Sequence, residues 1–536
     1  MKRTLVFPLF WLIFQHVHTQ SISGSLFSTT QYYENDSLTH FSAPEGHLRG
    51  MHYFTLDIRK GPWTAGAVLE TYVPGPLLGY NPRLQGNLLT DYFIRYRKKN
   101  LDITAGYFYQ QFGNGLTLRT WRSRTLGIDN AIRGLRIKYN LPSGIKLIAL
   151  TGNMRTGMEL SSASISGLSI EIPVTTSLGN FTFNPNLTSR FQPVDNNLNL
   201  KPTVEIYSLN TRFNSGKWDF GFEYAYKTPE ALYTNGVIND RVLFDGDALI
   251  AYAGYSTRGL GISASFRRSE NMQLYTRREL QGNFYNTGTV NYLPSLVKQH
   301  DFLLTTLYVY ATNESISFTD ESVGEIGGQL DIFYKIKKKT LLGGKYGTLL
   351  SFNLAQWHGL NAQFIPALGI YRRNYWEAGE LYYRDINFNI KKKINRKIKT
   401  ALHLIHQTYN QRKLEGHGET VEAFTVVSAW TWKLPHYSSL NFSLEHLATR
   451  QDQKNWAAGS FEYTLTGRYG IYFTDMYNYG DTKIHYYNAG LLYTNKGNRI
   501  SLGYGRTRGG LICVGGVCRY VPPNKGFQLS LSLHFN

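Results

Sequence analysis

Apolar and polar residues alternate with a period of two along most of this chain, in runs of about ten residues, the length of a membrane-spanning strand. Trp218, Phe220, Phe222, Tyr224 and Tyr226 alternate with Asp219, Gly221, Glu223, Ala225 and Lys227. The same pattern holds Tyr92, Ile94 and Tyr96 against Asp91, Arg95 and Arg97, and Phe461, Tyr463 and Leu465 against Ser460, Glu462 and Thr464. Leu330, Ile332, Tyr334 and Ile336 follow it with one break at Phe333. Successive strand side chains point to opposite sides, so each run makes a strand with one apolar, aromatic face and one charged or small face.

Two architectures use such strands. In a soluble sandwich the apolar faces meet each other. In an outer-membrane barrel they meet lipid, and the polar faces line the lumen. The barrel is favoured by the strand length and by aromatics near the strand ends. The last strand adds to this: Phe527, Leu529, Leu531, Leu533 and Phe535 alternate with Gln528, Ser530, Ser532 and His534, with Asn536 after the final aromatic. A C-terminal amphipathic strand ending in an aromatic resembles the insertion signal of bacterial outer-membrane barrels. Composition agrees. Aromatics make up 15% of the 536 residues and charged residues only 18%, below the roughly 25% of ordinary soluble proteins. A mean hydropathy of −0.31 excludes a polytopic helical membrane protein. Two cysteines exclude a disulfide scaffold.

The N-terminus reads as a secretory leader over residues 1–19. Lys2 and Arg3 precede the apolar run Leu5–Phe14, and Val17, His18 and Thr19 supply a cleavage site. The run is shorter than the ~20 residues a spanning helix needs; a buried N-terminal strand is the alternative. Residues 20–536 then form the barrel. Ten tight turns are marked by Gly, Pro, Asn and Lys: near Gly61-Pro62, Lys99-Asn100, Pro142-Ser143, Ser215-Gly216, Arg258-Gly259, Lys338-Lys339, 393–395, 435–437, Gly467 and Gly497. With both termini in the periplasm they predict about 22 strands, in a range of 20 to 24. Loops on the other rim are expected near 34–49, 74–87, 112–132, 153–202, 228–245, 270–323, 357–373, 410–418, 451–455, 478–482 and 509–526. The two longest, 153–202 and 270–323, are expected to fold over the mouth or into the lumen, and 301–312 could add a strand pair. No plug domain is expected before the first strand.

The densest basic stretch runs from Phe112 to Arg133. It carries Arg119, Arg122, Arg124, Asp129 and Arg133, with Gly113 and Gly115 allowing a tight bend. Folded inward, these residues predict a positive pore constriction that favours anions. The other reading is an arginine network, paired with Asp129 and lumen carboxylates, that pins the loop to the wall. Cys513-Val-Gly-Gly-Val-Cys518 predicts a two-residue hairpin with the cysteines opposite each other and bridged; a redox or metal role is the alternative.

Lysines at 98–99, 337–339, 391–393 and 397 mark the opposite rim. They solvate turns and reach lipid phosphates, or they dock an acidic periplasmic or outer-membrane protein partner. The expected partners are outer-membrane lipid and, during biogenesis, the barrel-insertion machinery; nucleic acid is not expected of an exported barrel. There is no Gly-x-Ser-x-Gly elbow and no His-Glu-x-x-His motif, and His403 and His406 fall on opposite strand faces. No enzyme activity, cofactor or metal is expected.

Three segments carry a family resemblance: FGNGLTLRTWRSRTLGIDNAIRGLR from Phe112 to Arg136, Leu342-Gly-Gly-Lys-Tyr-Gly-Thr348, and 509–522 with its cysteine hairpin. They resemble a Bacteroidota outer-membrane β-barrel family known only as a domain of unknown function. The resemblance implies a Gram-negative outer membrane and no particular activity. Two functions stay open: a porin-like channel for polar or anionic solutes, and a non-transporting barrel that serves as a scaffold in a secretion or assembly complex.

Overall fold

The computed structural model describes residues 20–195, 198–234, 237–281, 283, 285–312, 324–365, 370–514 and 517–535. The leader expected at 1–19 and the hairpin glycines Gly515 and Gly516 lie outside them.

Twenty-four antiparallel strands, each paired with its neighbours in sequence, make one closed sheet. The first strand, Gln20–Tyr33, pairs with the last, Asn524–Phe535, in a register running from Gly24 opposite Phe535 to Tyr33 opposite Gly526. Closure removes both sheet edges, so every strand has two partners. At the seam Phe535 crosses Gly24, where a Cβ would collide with the ring, and stacks on Phe54 at 5.9 Å between centroids.

The alternation sorts as expected. Trp218, Phe220, Phe222, Tyr224 and Tyr226 are exposed on the outside, while Glu223, Ala225 and Lys227 are buried inside. Phe527, Leu529 and Phe535 of the last strand are exposed outward too. The outer surface thus carries a belt of apolar and aromatic side chains.

All ten expected tight turns join strands at the rim that holds the termini. An eleventh lies at 177–178, and it corrects the strand count from 22 to 24. Residues 153–202 are not a loop: Glu159–Thr176 and Gly179–Phe191 are barrel strands, joined from Thr176 opposite Gly179. Their Ser-rich alternation is weak, and Pro173 and Pro185 interrupt it; proline is rare inside strands. Segment 301–312 adds no strand pair either. It lies inside the barrel around a 3-10 turn at Leu304–Thr306. Two expected loops, 228–245 and 357–373, are mostly strand, because Trp218–Thr234, Val237–Thr257, Thr348–Ile365 and Ile370–Lys393 run on past the neighbouring strands.

Candidate functional site

The site is the lumen, and what fills it is chain from the loop rim. Residues 109–131 leave the strand Leu101–Phe108 and turn inward. Gly113 and Gly115 take positive φ of 48° and 96°. Gly113 lies so close to the Glu223 carboxylate that a Cβ would collide with it. The Asn114 amide donates to Glu223 Oε2 at 2.8 Å. Glu223 belongs to the strand Trp218–Thr234, so the loop tip reaches well around the wall. Phe112, Leu116 and Leu118 are fully buried there against Ile165, Ile206, Ala225 and Ile250. Burying each such side chain contributes about 1.5–3 kcal/mol.

A second inward segment, 271–312, lies on the first. Arg119 N donates to Val290 O and Tyr292 N to Gly115 O. Asn291 clips three stretches of the chain together: its Nδ2 donates to Leu116 O and Met272 O, each at 2.8 Å, and its Oδ1 accepts from Leu274 N at 2.9 Å. Asn130 does the same for Trp121, Arg119 and Thr289. Such bonds satisfy buried backbone groups that no sheet serves. The segment then crosses to the wall beyond. Lys298 Nζ donates to Asn387 at 2.6 Å, and His300 Nε2 lies 3.1 Å from Asp385. The Leu303 and Leu304 amides donate to Glu445 at 3.2 and 2.9 Å. Leu304, Tyr308 and Tyr310 form a core with Trp357, Tyr383, Tyr409 and Trp456. The Thr305 hydroxyl donates to Phe302 O at 2.7 Å.

The third-loop residues do not form one ring. Arg122 pairs with Asp91 of the wall and with Asp129 at 3.1 Å. Arg155 pairs with Asp129 at 3.0 Å and Glu70 at 2.5 Å. Tyr109 donates to Asp129 at 2.8 Å and Tyr72 to Glu70 at 2.8 Å. Burial, then the charge of Asp129, pushes the Tyr109 hydroxyl well above its usual range, so it stays a donor. Glu70, Asp91 and Asp129 bring carboxylate oxygens within 4.8 Å of one another, the spacing of a cation site. Two guanidiniums already sit among them, and the adjoining cavity, about 30 Å³, has room for one water. This cluster is the pinning network.

Arg119 packs on Trp121 and Tyr292, 4.5 and 5.5 Å from the ring centroids. Arg133 is a correction: it lies on the outer face with Leu135, Ile137 and Tyr139, and donates to the exposed Tyr92 at 3.1 Å. It sits one residue from the inward Ile132, and period two sends it outside. Of the expected constriction, Arg124 lines the large cavity at the seam.

The hairpin Gly510–Val514 and Val517–Val521 pairs Cys513 with Cys518, and the two form a disulfide with Cα atoms 4.0 Å apart. The hairpin folds inward. Val517 packs with Leu126, Ile128 and Tyr292, and Cys518 O accepts from Asn286 at 3.0 Å.

Beside it a cavity of about 940 Å³ follows the seam, from Leu77 and Gly509 at the loop rim to Gly497 and Ser532 at the turn rim. Thr29, Gln31, Asn488, Ser501, Gln528 and Ser530 give it a polar wall. Arg124, Arg506, Arg508 and Arg519 enter it from the loop end. Arg506 is paired with Asp36; the other three have no carboxylate ion pair among the described residues. Burial holds all three guanidiniums below the usual arginine range. Sequence reasoning missed Arg155, Asn130, Asn291, Arg508 and Arg519. Only the position of Arg519 beside Cys518 offered a local signal.

A family model matches residues 1–535. The chain belongs to DUF6029, a family of unknown function. No curated protein matches it. Among solved structures it is similar to the P pilus usher PapC translocation pore, at 9% identity and a TM-score of 0.43, covering 97% of this chain and 99% of that one. It is similar to the siderophore receptor PirA from Pseudomonas aeruginosa, at 10% identity and a TM-score of 0.45, covering 97% and 82%. A third similarity is to OccK9 (OpdG) from Pseudomonas aeruginosa, at 11% identity and a TM-score of 0.37, covering 83% and 97%. With TM-scores this low, function has to come from the chain's own residues.

Proposed function

We propose that this DUF6029 protein is an outer-membrane barrel that passes small polar or anionic solutes through a conduit along its seam. The apolar outer belt supports residence in lipid, and the closed sheet satisfies the backbone there. One observation carries the channel reading: the seam cavity of about 940 Å³ is bordered by residues of both rims and has arginines at its loop end. The filter is not a third-loop ring. Arg122 holds the loop down, and selectivity falls to Arg124, Arg508 and Arg519.

The test is single-channel conductance of the folded barrel in planar bilayers under a salt gradient. Stable, anion-selective steps far smaller than an empty barrel of this width would give are expected. Folded barrel that gives no steps would overturn the channel. A scaffold would then be the better reading, and the packing of 109–131 and 271–312 across much of the lumen is the observation that favours it.

A further inference from the structure

We propose that Arg124, Arg508 and Arg519 form a binding site for the acid group of a small organic anion, whose apolar body lies against Phe27, Met51 and Met476 of the seam cavity. The proposal rests on the seam conduit above and names the class of solute it takes.

Arg519 is only 6% exposed, yet its Nε and Nη1 have no hydrogen-bond partner among the described residues. Arg124 Nε likewise has no hydrogen-bond partner, but neither do the Nε atoms of Arg190 and Arg278, two arginines that pair with Glu230; what sets Arg124 and Arg519 apart from those two is the missing carboxylate among the described residues. Buried cations normally carry a counter-charge, because the cost of leaving them unpaired is large. The packed lumen obeys that rule at Arg155, Arg190, Arg267 and Arg268, each ion-paired. The seam arginines depart from it together, on one cavity. Asp452 and Glu415 act on Arg508 only through longer-range attraction. Planar guanidiniums are the donors that grip a carboxylate or phosphate in two-point fashion.

The site is also held in shape. The Arg519 guanidinium lies 3.8 Å from the centroid of Tyr80, and the Tyr80 hydroxyl donates to Arg124 O at 3.0 Å. Tyr80 therefore holds the guanidinium of Arg519 and the backbone of Arg124, whose own guanidinium lies over Phe27 and Tyr53, 4.8 Å from each ring centroid. The Cys513–Cys518 bridge fixes the strand that carries Arg519. Donors ordered before the ligand arrives lower the entropy cost of binding. The cavity is of the size that holds a small molecule. Phe27, Met51, Leu77 and Met476 give it an apolar side next to the arginines.

The experiment is calorimetric titration of the folded barrel in detergent with 2-naphthoate, its neutral amide 2-naphthamide, and inorganic phosphate. Folding is checked by heat-modifiable migration, and conductance is recorded on the same preparations. One naphthoate per barrel is expected, weakened by salt, with naphthamide inert. Arg519→Gln and Arg508→Gln should each weaken binding about tenfold or more, and Arg119→Gln should leave it unchanged. Because Arg519 is buried and Arg508 only half-buried, the second variant serves if the first fails to fold. Equal binding of acid and amide, or unchanged affinity in folded Arg508→Gln, would overturn the site. Phosphate binding in place of naphthoate would overturn the organic anion. No naphthoate binding by a conducting barrel would sink the site and leave the channel standing. Binding without conductance would keep the site and sink the channel.

Discussion

The lumen beside Trp357 and the lumen beside Ser530 share one wall and end up in opposite states. Around Trp357 the inward positions are Ala355, Tyr383, Val421 and Ala423, and further round Ala225, Ala248 and Ile250. These apolar or small side chains accept the inward segments, whose Leu116, Leu118, Leu274 and Leu304 are fully buried. Around Ser530 the inward positions are Thr29, Gln31, Asn488, Ser501 and Gln528, and there the cavity stays open. The outward faces of both regions are alike. One part of this wide barrel is thus filled by inward chain, and the other keeps an open cavity. Charge differs too: Arg155, Arg190, Arg267 and Arg268 in the packed part carry carboxylates, while Arg124, Arg508 and Arg519 on the open cavity have no carboxylate ion pair among the described residues.

The largest effect should come from removing the filling. Glu270 and Gly324 are register partners, so a short turn can join their strands in place of 271–323. That deletion should raise conductance several-fold. An unchanged step size would mean that the seam, not the packed region, limits flow.

Arg122→Gln tests whether the third loop is pinned or is a filter. It strands Asp91 and Asp129 beside one remaining guanidinium, and breaking a buried pair from one side costs about 3–5 kcal/mol. Amide exchange across 109–131 should accelerate while ion selectivity of the seam holds. Lost selectivity with normal exchange protection would restore the constriction. Adding Asp129→Asn should recover part of the protection.

Reducing Cys513–Cys518 acts on the boundary between the two regions. Closing so short a loop is worth about 2 kcal/mol. Reduction should loosen the hairpin and add open-channel noise without unfolding the barrel, and single-channel records with and without a membrane-impermeant phosphine check this.

The smallest effect concerns acid. Burial raises the Asp36 carboxyl, but the hydrogen bonds and charge of Arg506 outweigh it and hold the pKa below the usual value. A lowered folded-state pKa stabilises above the unfolded value of about 3.9 and is lost as pH falls through the lower folded value. The loop bearing Asp36 should therefore keep its exchange protection from pH 7 to about 4 and lose it only below that. Loss between pH 7 and 5 would assign the contact to another group.

Much of this molecule was legible in the chain. Period two separated outside from inside, and ten tight turns were marked by their residues. The hairpin register that pairs Cys513 with Cys518 was readable as well. The turn at 177–178 was not, because Ser residues around 161–169 blur the alternation and Pro173 argues against a strand. Arg133 misled for a different reason: it stands in a basic run, but one strand position sends it to the outer face.

Alternation, turn residues and hairpin register are set by neighbours a few residues apart, so the sequence alone determined the barrel, its apolar outer face and its bridged hairpin. The filling of the lumen rests on contacts between distant residues. Arg155 finds Glu70 across 85 positions, Asn291 finds Leu116 across 175, and Asn286 finds Cys518 across 232. No local pattern encodes such meetings. Only the closed wall, by bringing these segments into one enclosed space, decided which arginines are neutralised and which face the open seam.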